Sequence, residues 1–456
     1  MYKNISLKYG SDKAEIRLGE LKTKRIIRAN EDQKYFGDNL SSSGIQSPVD
    51  VQSITKNNYF SEDQDFNKII QAALNNLIGS PKLRQLVNKG EKVTLVISDI
   101  TRSWQNMSGF LPFLIEELKV GGVEFDDITV LSAAGSHRSH TESEKEELLG
   151  IYYNKIKFID HDDKAEHEME YLGETSFGTP VWINSEVVNT DRLVLTGGIV
   201  FHKLAGYAGG RKSLLPGTAA YESIMANHSL SLAENRGDGL KETVDSDLLE
   251  NNPVHLDMME AAEMIDVDFI FNVIPDGRGG IAAAVAGDLV EAHLEGCRIT
   301  SDLFGIDLDE KAELVIASAG GFPKDMNLYQ SSKALVNSVK AVKKGGYLIL
   351  LADCSEGIGH PEVEDIIQNY NNNLEREDLL RREFTISRYV GYLITTEIKD
   401  INCILVSNID ADKLSTTEIK VVNSLGAALE IIEEVYEKLP PAYIMPDAAN
   451  TLPLYR

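Results

Sequence analysis

The residues able to do chemistry in this sequence gather in five short stretches, several of them directly behind an apolar run. SDITR (98–102) sets Asp99, Thr101 and Arg102 behind VTLVIS. Backbone amides and a hydroxyl suit a phosphate, and a guanidinium can grip a carboxylate or phosphate through two parallel hydrogen bonds. A helix cap with a surface ion pair fits the same residues. AGSHR (134–138) presents His137 just past a second apolar run. A neutral imidazole is the most usable general base near pH 7, although a capping histidine at a helix start reads equally well. His140 and His161 read as ordinary loop residues. The densest stretch, GGIVFHKLAGYAGGRKSLLPG (197–217), crowds glycines around His202, Lys203, Arg211 and Lys212. A structural turn needs one or two glycines. This many, Gly209 and Gly210 among them, predicts backbone packed closely against a ligand, with phosphate an option. The P-loop spacing fails here, and no G-x-G-x-x-G follows the first strand, which counts against a nicotinamide dehydrogenase. NHSL (227–230) carries His228 in a helix beginning near Tyr221; a lone helical histidine is usually packed or solvated. In GGFPKDMNLYQSSKAL (320–335), Gln330 and Lys333 share a helix face and can bind a carboxylate together, or simply face solvent. NNPVHLDMMEAAEM (251–264) reads as a structural helix start with Pro253 near its first position.

The elements that must position these groups follow an α/β rhythm. VTLVIS (93–98), ITVLSAAG (128–135), DRLVLTGGI (191–199) and DFIFNVI (268–274) read as strands, the first typical of a parallel strand buried on both faces. Helices are predicted over Phe66–Leu86, Leu111–Lys119 and 292–305. A second series begins at Glu313, with strands ELVIASAGG, GGYLILLAD and NCILVSN, and helices over Ser331–Lys343 and Ser424–Lys438. Ile5 to Arg28 alternates like a small hairpin or edge sheet, and residues 38–62 are polar and turn-rich. The expected fold is α/β in two domains, each a mostly parallel sheet flanked by helices, with the active site in the cleft between them. The boundary falls near 305: an N-terminal catalytic and cofactor-binding domain (1–305) and a C-terminal α/β domain (306–456), the final YIMPDAANTLPLYR returning to the first. In such sheets ligands gather at the carboxyl ends of the strands.

Bulk properties narrow the partners. With 71 acidic against 45 basic residues and a formal charge of -26, the chain repels nucleic acid and anionic lipid. An anionic substrate would need locally collected cations, which gives weight to the basic residues among the glycines and histidines. No apolar run is long enough to cross a bilayer, and MYKNISLKYG does not read as a signal peptide. Cys297, Cys354 and Cys403 lie far apart, in keeping with a reducing cytoplasm.

In order along the chain, DxTR (99–102), GxHR (135–138), H-x9-K (202–212), a histidine sixteen positions later and LYQSxKAL (328–335) resemble the lactate racemase family, from about Val93 to beyond Gly357. The resemblance implies a racemase or epimerase that inverts C2 of a small anionic 2-hydroxy acid. It implies a nickel-pincer nucleotide joined covalently to Lys212, with nickel bound by His228. It casts His137 and His202 as acid and base on opposite faces of the substrate. Arg102, Gln330, Lys333 and Tyr329 would orient substrate, while Asp99, Thr101, Gly209 and Gly210 lie beside the cofactor. Enzymes that build the cofactor would be partners. After DITR this chain reads SWQN where the family pattern leads us to expect a proline-containing turn. Trp104 and Gln105 are therefore expected to reshape the substrate pocket, which opens malate or a sugar acid such as gluconate beside lactate. Two other readings compete: a nicotinamide-dependent 2-hydroxyacid dehydrogenase, and a non-catalytic carrier of nickel or cofactor.

Overall fold

The computed structural model describes residues 4–17, 23–28, 66–277 and 280–455. They divide into two compact units. One is drawn from Gly44–Ser231 and Leu240–Ser301; the other is drawn from Met1–Ser43, Leu232–Gly239 and Asp302–Arg456. The polar segment 38–62 lies outside the described residues.

The first strands belong to the second of these units. β1 (Asn4–Tyr9) and β2 (Asp12–Arg17) pair antiparallel, as the alternation suggests. β3 (Thr23–Ile26) then runs parallel to the strand at 442–445, and the Ile27 amide donates to the Ile444 carbonyl at 2.7 Å. The N-terminal segment thus completes the edge of the C-terminal sheet, which corrects its expected place in a 1–305 domain. Local alternation fixes that a segment is a strand, not which sheet edge it will satisfy.

The other unit is built on a six-stranded sheet. In chain order its members are β4 (Val93–Ser98), β5 (Ile128–Ala133), β6 (Lys157–Asp160), β9 (Arg192–Gly198), β12 (Phe269–Pro275) and β13 (Ile281–Gly287). The order across the sheet is β13-β12-β9-β4-β5-β6, parallel except for the antiparallel edge strand β13. Two small hairpins, β7 (Met169–Glu174) with β8 (Pro180–Asn184) and β10 (Phe201–His202) with β11 (Gly206–Tyr207), stand outside it. The wholly apolar central strands are buried because helices cover a parallel sheet on both faces. Among those helices, in chain order, are α1 (Phe66–Asn75), α2 (Met107–Val120), α3 (Glu142–Leu149), α4 (Tyr221–Ser229), α5 (Pro253–Glu263) and α6 (Glu291–Phe304). α2 buries Met107, Phe110, Leu111, Leu114, Ile115 and Leu118, the three-and-four spacing of one helix face. These side chains join Leu95, Ile97, Val130 and Phe271 in one core, and Phe110→Ala there would cost about 3–5 kcal/mol. The helix begins a turn earlier than the sequence suggests. The tight turn at 100–105 closes on Asn106, whose left-handed φ of 55° redirects the chain into it.

The second unit repeats the theme. β15 (Ala312–Ser318), β16 (Val342–Leu351), β17 (Asn402–Val406), β18 (Ile419–Val422) and β19 (Ala442–Met445) form, with β3, an all-parallel sheet in the order β18-β17-β16-β15-β19-β3. α7 (Leu328–Val339) and α8 (Leu425–Tyr436) are among its helices. The final strand β20 (Leu452–Leu454) runs parallel to β14 (Gly305–Asp307), so the tail stays within this unit rather than returning to the first. The three cysteines are buried and unpaired. No helix among the described residues is long and apolar enough to cross a membrane.

Candidate active site

The loops at the carboxyl ends of β4 and β5 meet through two side chains. Asp99, buried just after β4, reaches the His137 Nδ1 with its Oδ2 at 2.6 Å, while its Oδ1 accepts from the Thr101 hydroxyl at 2.8 Å. Arg102 Nη1 donates to the same hydroxyl at 3.0 Å and is otherwise exposed. Burial pushes the Asp99 carboxyl up, but the His137 ring, Thr101 and Arg102 outweigh it and hold it below its ordinary value. Asp99 is therefore an anion whose oxygen fixes a proton on His137 Nδ1, leaving Nε2 with a lone pair on a ring that is about half exposed (47%). The sequence reading set Asp99 and Thr101 beside a cofactor; here both are engaged in orienting His137 and Arg102. Trp104 is half-buried over the end of β9. A Cβ on Gly198 would lie 2.4 Å from its indole edge, so the glycine makes room for the ring.

His202 sits at the end of β10 in a different setting. The Leu204 and Ala205 amides, at 3.3 and 3.2 Å, both donate to its Nδ1. Two donors on Nδ1 leave the ring proton on Nε2.

The glycine-rich stretch turns out to be packed against protein. Gly209 and Gly210 have φ of 78° and 53°, and a Cβ on them would meet Asn272 Oδ1 at 2.6 Å and His293 Cδ2 at 2.8 Å. Asn272 Oδ1 also accepts from the Gly210 amide at 2.8 Å. Positive φ and close packing against Asn272 and His293 therefore require glycine at both positions. What they position is the short turn Gly210–Ser213, with Arg211 pointing inward. Arg211 is fully buried, donating to the Ala205 and Tyr207 carbonyls and to His293 Nε2. No carboxylate neutralises it among the described residues, and burial lowers it to about 10.

Lys212 follows directly. Its ammonium makes no ion pair or hydrogen bond among the described residues, and burial, then the Arg211 and Arg102 charges, bring it down to about 7. His228, on α4, is buried, and burial together with nearby Lys212 holds its ring neutral, at about 3. Its Nδ1 completes no hydrogen bond, although the Ile224 backbone one turn earlier acts on the ring. A near-neutral amine and an unsatisfied neutral imidazole are a nucleophile and a nitrogen donor for a divalent transition metal. Among the described residues no three His, Cys, Asp or Glu side chains converge on a metal position. A metal at His228 would take its remaining donors from a bound group.

Tyr329, Gln330 and Lys333 lie in the other unit, on the first turns of α7. Gln330 and Lys333 are exposed, and Tyr329 stacks on His360 with ring centroids 6.0 Å apart. Asn327 caps the helix by accepting from the Gln330 amide at 2.9 Å. Two residues near the site escaped sequence reading. By sequence Arg211 is one of several cations among glycines and His140 an ordinary loop residue. His140 is fully buried and hydrogen-bonded at both ring nitrogens. Its nearness to His137 in the sequence was the available signal.

Comparison with known proteins identifies the family. Residues 36–239 match the model of the lactate racemase N-terminal domain, and residues 308–452 that of the C-terminal domain. Lactate racemase of Thermoanaerobacterium thermosaccharolyticum is 30% identical over 84% of this chain and 89% of its own length. That of Lactiplantibacillus plantarum is 28% identical over 89% and 92% respectively. The solved lactate racemase apoprotein from T. thermosaccharolyticum superposes with a TM-score of 0.83 at 28% identity, covering 99% of this chain and 100% of that one. The chain belongs to the lactate racemase family and is a 2-hydroxyacid racemase, an isomerase.

Proposed function

We propose that this chain inverts C2 of a small 2-hydroxy acid anion, with His137 and His202 as the two proton-transfer groups and a nickel-pincer nucleotide held at Lys212 and His228. The observation that carries the reading is the juxtaposition of a lysine amine lowered to about 7 with a buried, neutral, unsatisfied imidazole. Lys212 is in a state to form a covalent amide-type link, and His228 to donate to nickel. When bound, the group would accept the C2 hydride and return it to the opposite face.

The side chains of this chain do the rest. Arg102 holds the substrate carboxylate by charge-assisted hydrogen bonds. Gln330, Lys333 and Tyr329 are assigned by the family resemblance to the same orienting task. His137 takes the hydroxyl proton on Nε2, while Asp99 keeps the Nδ1 proton in place and stabilises the positive ring. His202 serves the opposite face, because the two enantiomers direct their hydroxyls to opposite sides. Trp104 bounds the substrate on the β9 side. The substrate is lactate or a longer relative such as malate or gluconate, and the enzymes that build the nucleotide are required partners.

Loading and turnover separate this reading from a carrier of nickel or cofactor. Protein produced with the cofactor-building enzymes should show a mass increase localised to Lys212 and bound nickel. His137→Ala should keep both and lose turnover. Loss of loading together with turnover in His137→Ala would contradict its assignment as a proton-transfer residue.

A further inference from the structure

His140 stands three residues beyond His137, immediately before the Thr141 cap of α3, and its side chain is completely buried. Its ring bridges two elements. The Ile100 amide donates to Nε2 at 3.0 Å, and Nδ1 contacts Asp160 Oδ1 at the end of β6. A backbone N–H can only donate, so Nε2 accepts, and the ring proton sits on Nδ1, directed at the carboxylate. The Phe158 ring packs edge-on against the imidazole, with centroids 5.9 Å apart. Lys145 lies 3.5 Å from the other Asp160 oxygen. Burial pushes the Asp160 carboxyl up, but the His140 ring and amide, with Lys145, keep it below its usual value. Asp160 thus remains an anion able to hold the ring.

The Ile100 amide belongs to the same peptide unit as the Asp99 carbonyl, and that carbonyl accepts from the Arg102 amide at 3.0 Å. One peptide plane is therefore gripped at both ends: N–H by His140, C=O by Arg102. From its Asp99 side projects the carboxylate that fixes His137. We propose that His140, backed by Asp160, is a positioning residue for proton transfer, setting the Asp99–Ile100 peptide so that the Asp99 carboxylate meets His137 Nδ1. Two His–Asp pairs then act in series, one at the substrate and one behind it. Outer partners of this kind typically govern activity by about 10–100-fold when removed, and small misplacement of a reacting group has effects of comparable size.

The inference rests on His137 acting on substrate, so His137→Ala is measured alongside. In loaded holoenzyme, with the Lys212 adduct verified by mass, His140→Phe keeps the volume but removes the acceptor. It should lower kcat about 10–100-fold while KM and cofactor loading stay within about twofold of the unaltered protein. His140→Gln, which returns an acceptor near the Nε2 position, should recover most of that loss. Asp160→Asn, whose amide oxygen still accepts from Nδ1, should exceed Asp160→Ala. If His140→Phe fails to fold, the ring tautomer can be read in the unaltered protein labelled with 15N-histidine. A proton on Nδ1 supports the clamp; a proton on Nε2 overturns it. Wild-type kcat in His140→Phe, or His140→Gln as impaired as His140→Phe, also overturns it. If His137→Ala is inactive while His140→Phe is not, the clamp alone falls. If His137→Ala retains turnover, the acid–base reading falls with it.

Discussion

His137 and His202 are assigned the same task on opposite faces of a substrate, yet the protein holds them differently. His137 is backed by a buried carboxylate at 2.6 Å; His202 is backed by two backbone amides at 3.2 and 3.3 Å. A carboxylate fixes the ring proton on the inner nitrogen and leaves a lone pair outward. Backbone donors do the reverse and leave a proton outward. The resting chain therefore presents one ring ready to accept and one ready to donate, without any difference in residue type. The loop after β4 that supplies Asp99 to His137 also carries Arg102, the cation proposed for the anion, whereas the hairpin of His202 is held from outside by Arg211 on the Ala205 and Tyr207 carbonyls and Asn252 on the Leu204 carbonyl.

The strongest way to break this comparison is Asp99→Asn. With the carboxylate gone, His137 loses its fixed tautomer, and kcat should fall by about 10³–10⁴ with cofactor loading preserved. A comparable loss from any replacement around β10 would erase the distinction. For a pair of enantiomers the equilibrium constant is one, so kcat/KM must stay equal in the two directions. The asymmetry belongs instead in single-turnover formation of the 2-keto acid, which Asp99→Asn should slow more from one enantiomer than from the other. Equal slowing would contradict distinct roles.

Arg102→Gln tests the second half of the contrast. Loss of a charge-assisted contact worth about 1.5–3 kcal/mol should raise KM roughly 10–100-fold, measured by initial rates on loaded protein. On the hairpin side, Asn252 donates to the Leu204 carbonyl at 2.9 Å and caps α5 through the Val254 and His255 amides. Asn252→Ala should cost about 1 kcal/mol in denaturant unfolding and reduce kcat only a few-fold. A much larger kcat loss would mean that the His202 setting is as demanding as that of His137.

The smallest expected effect concerns the imidazoles that do no proton transfer. Burial lowers His161 to about 4, and His228 and His255 to about 3. The unfolded chain protonates these rings near 6.5 and the native chain does not. Stability is therefore full above about pH 6.5 and is lost as pH falls toward 3–4. Thermal melts between pH 7 and 4 should slope downward, and His161→Phe should flatten that slope slightly. An unchanged slope would mean that its ring protonates alike in both states.

Much of the fold was legible because buried parallel strands announce themselves: VTLVIS, ELVIASAG and NCILVSN sit where their apolar runs place them. β13, the alanine-rich IAAAVAG, gave no such signal, since its burial follows from pairing with β12 rather than from bulky side chains. β3 was recognisable as extended, but its partner lies more than four hundred residues away, and no local pattern encodes that. In the site, Asp99, Arg102, His137 and the glycine-flanked Lys212 stand out by type and position, while His228 gains its role only from the family resemblance. What spacing could not convey was direction. Asp99 faces His137, the glycines face Asn272 and His293, and His140 turns inward to a backbone amide. Those relations are made by packing, and each reassigns a residue without changing its identity.

The most direct test of the central claim is inversion in deuterated water. Loaded protein would be incubated with single enantiomers of lactate, malate and gluconate, with C2 followed by proton NMR and chiral separation. The expected result is inversion of at least one of them with its original C2 proton retained, since the histidines exchange only the hydroxyl proton. Inversion with deuterium at C2 would contradict it, by placing His137 and His202 on carbon rather than on oxygen.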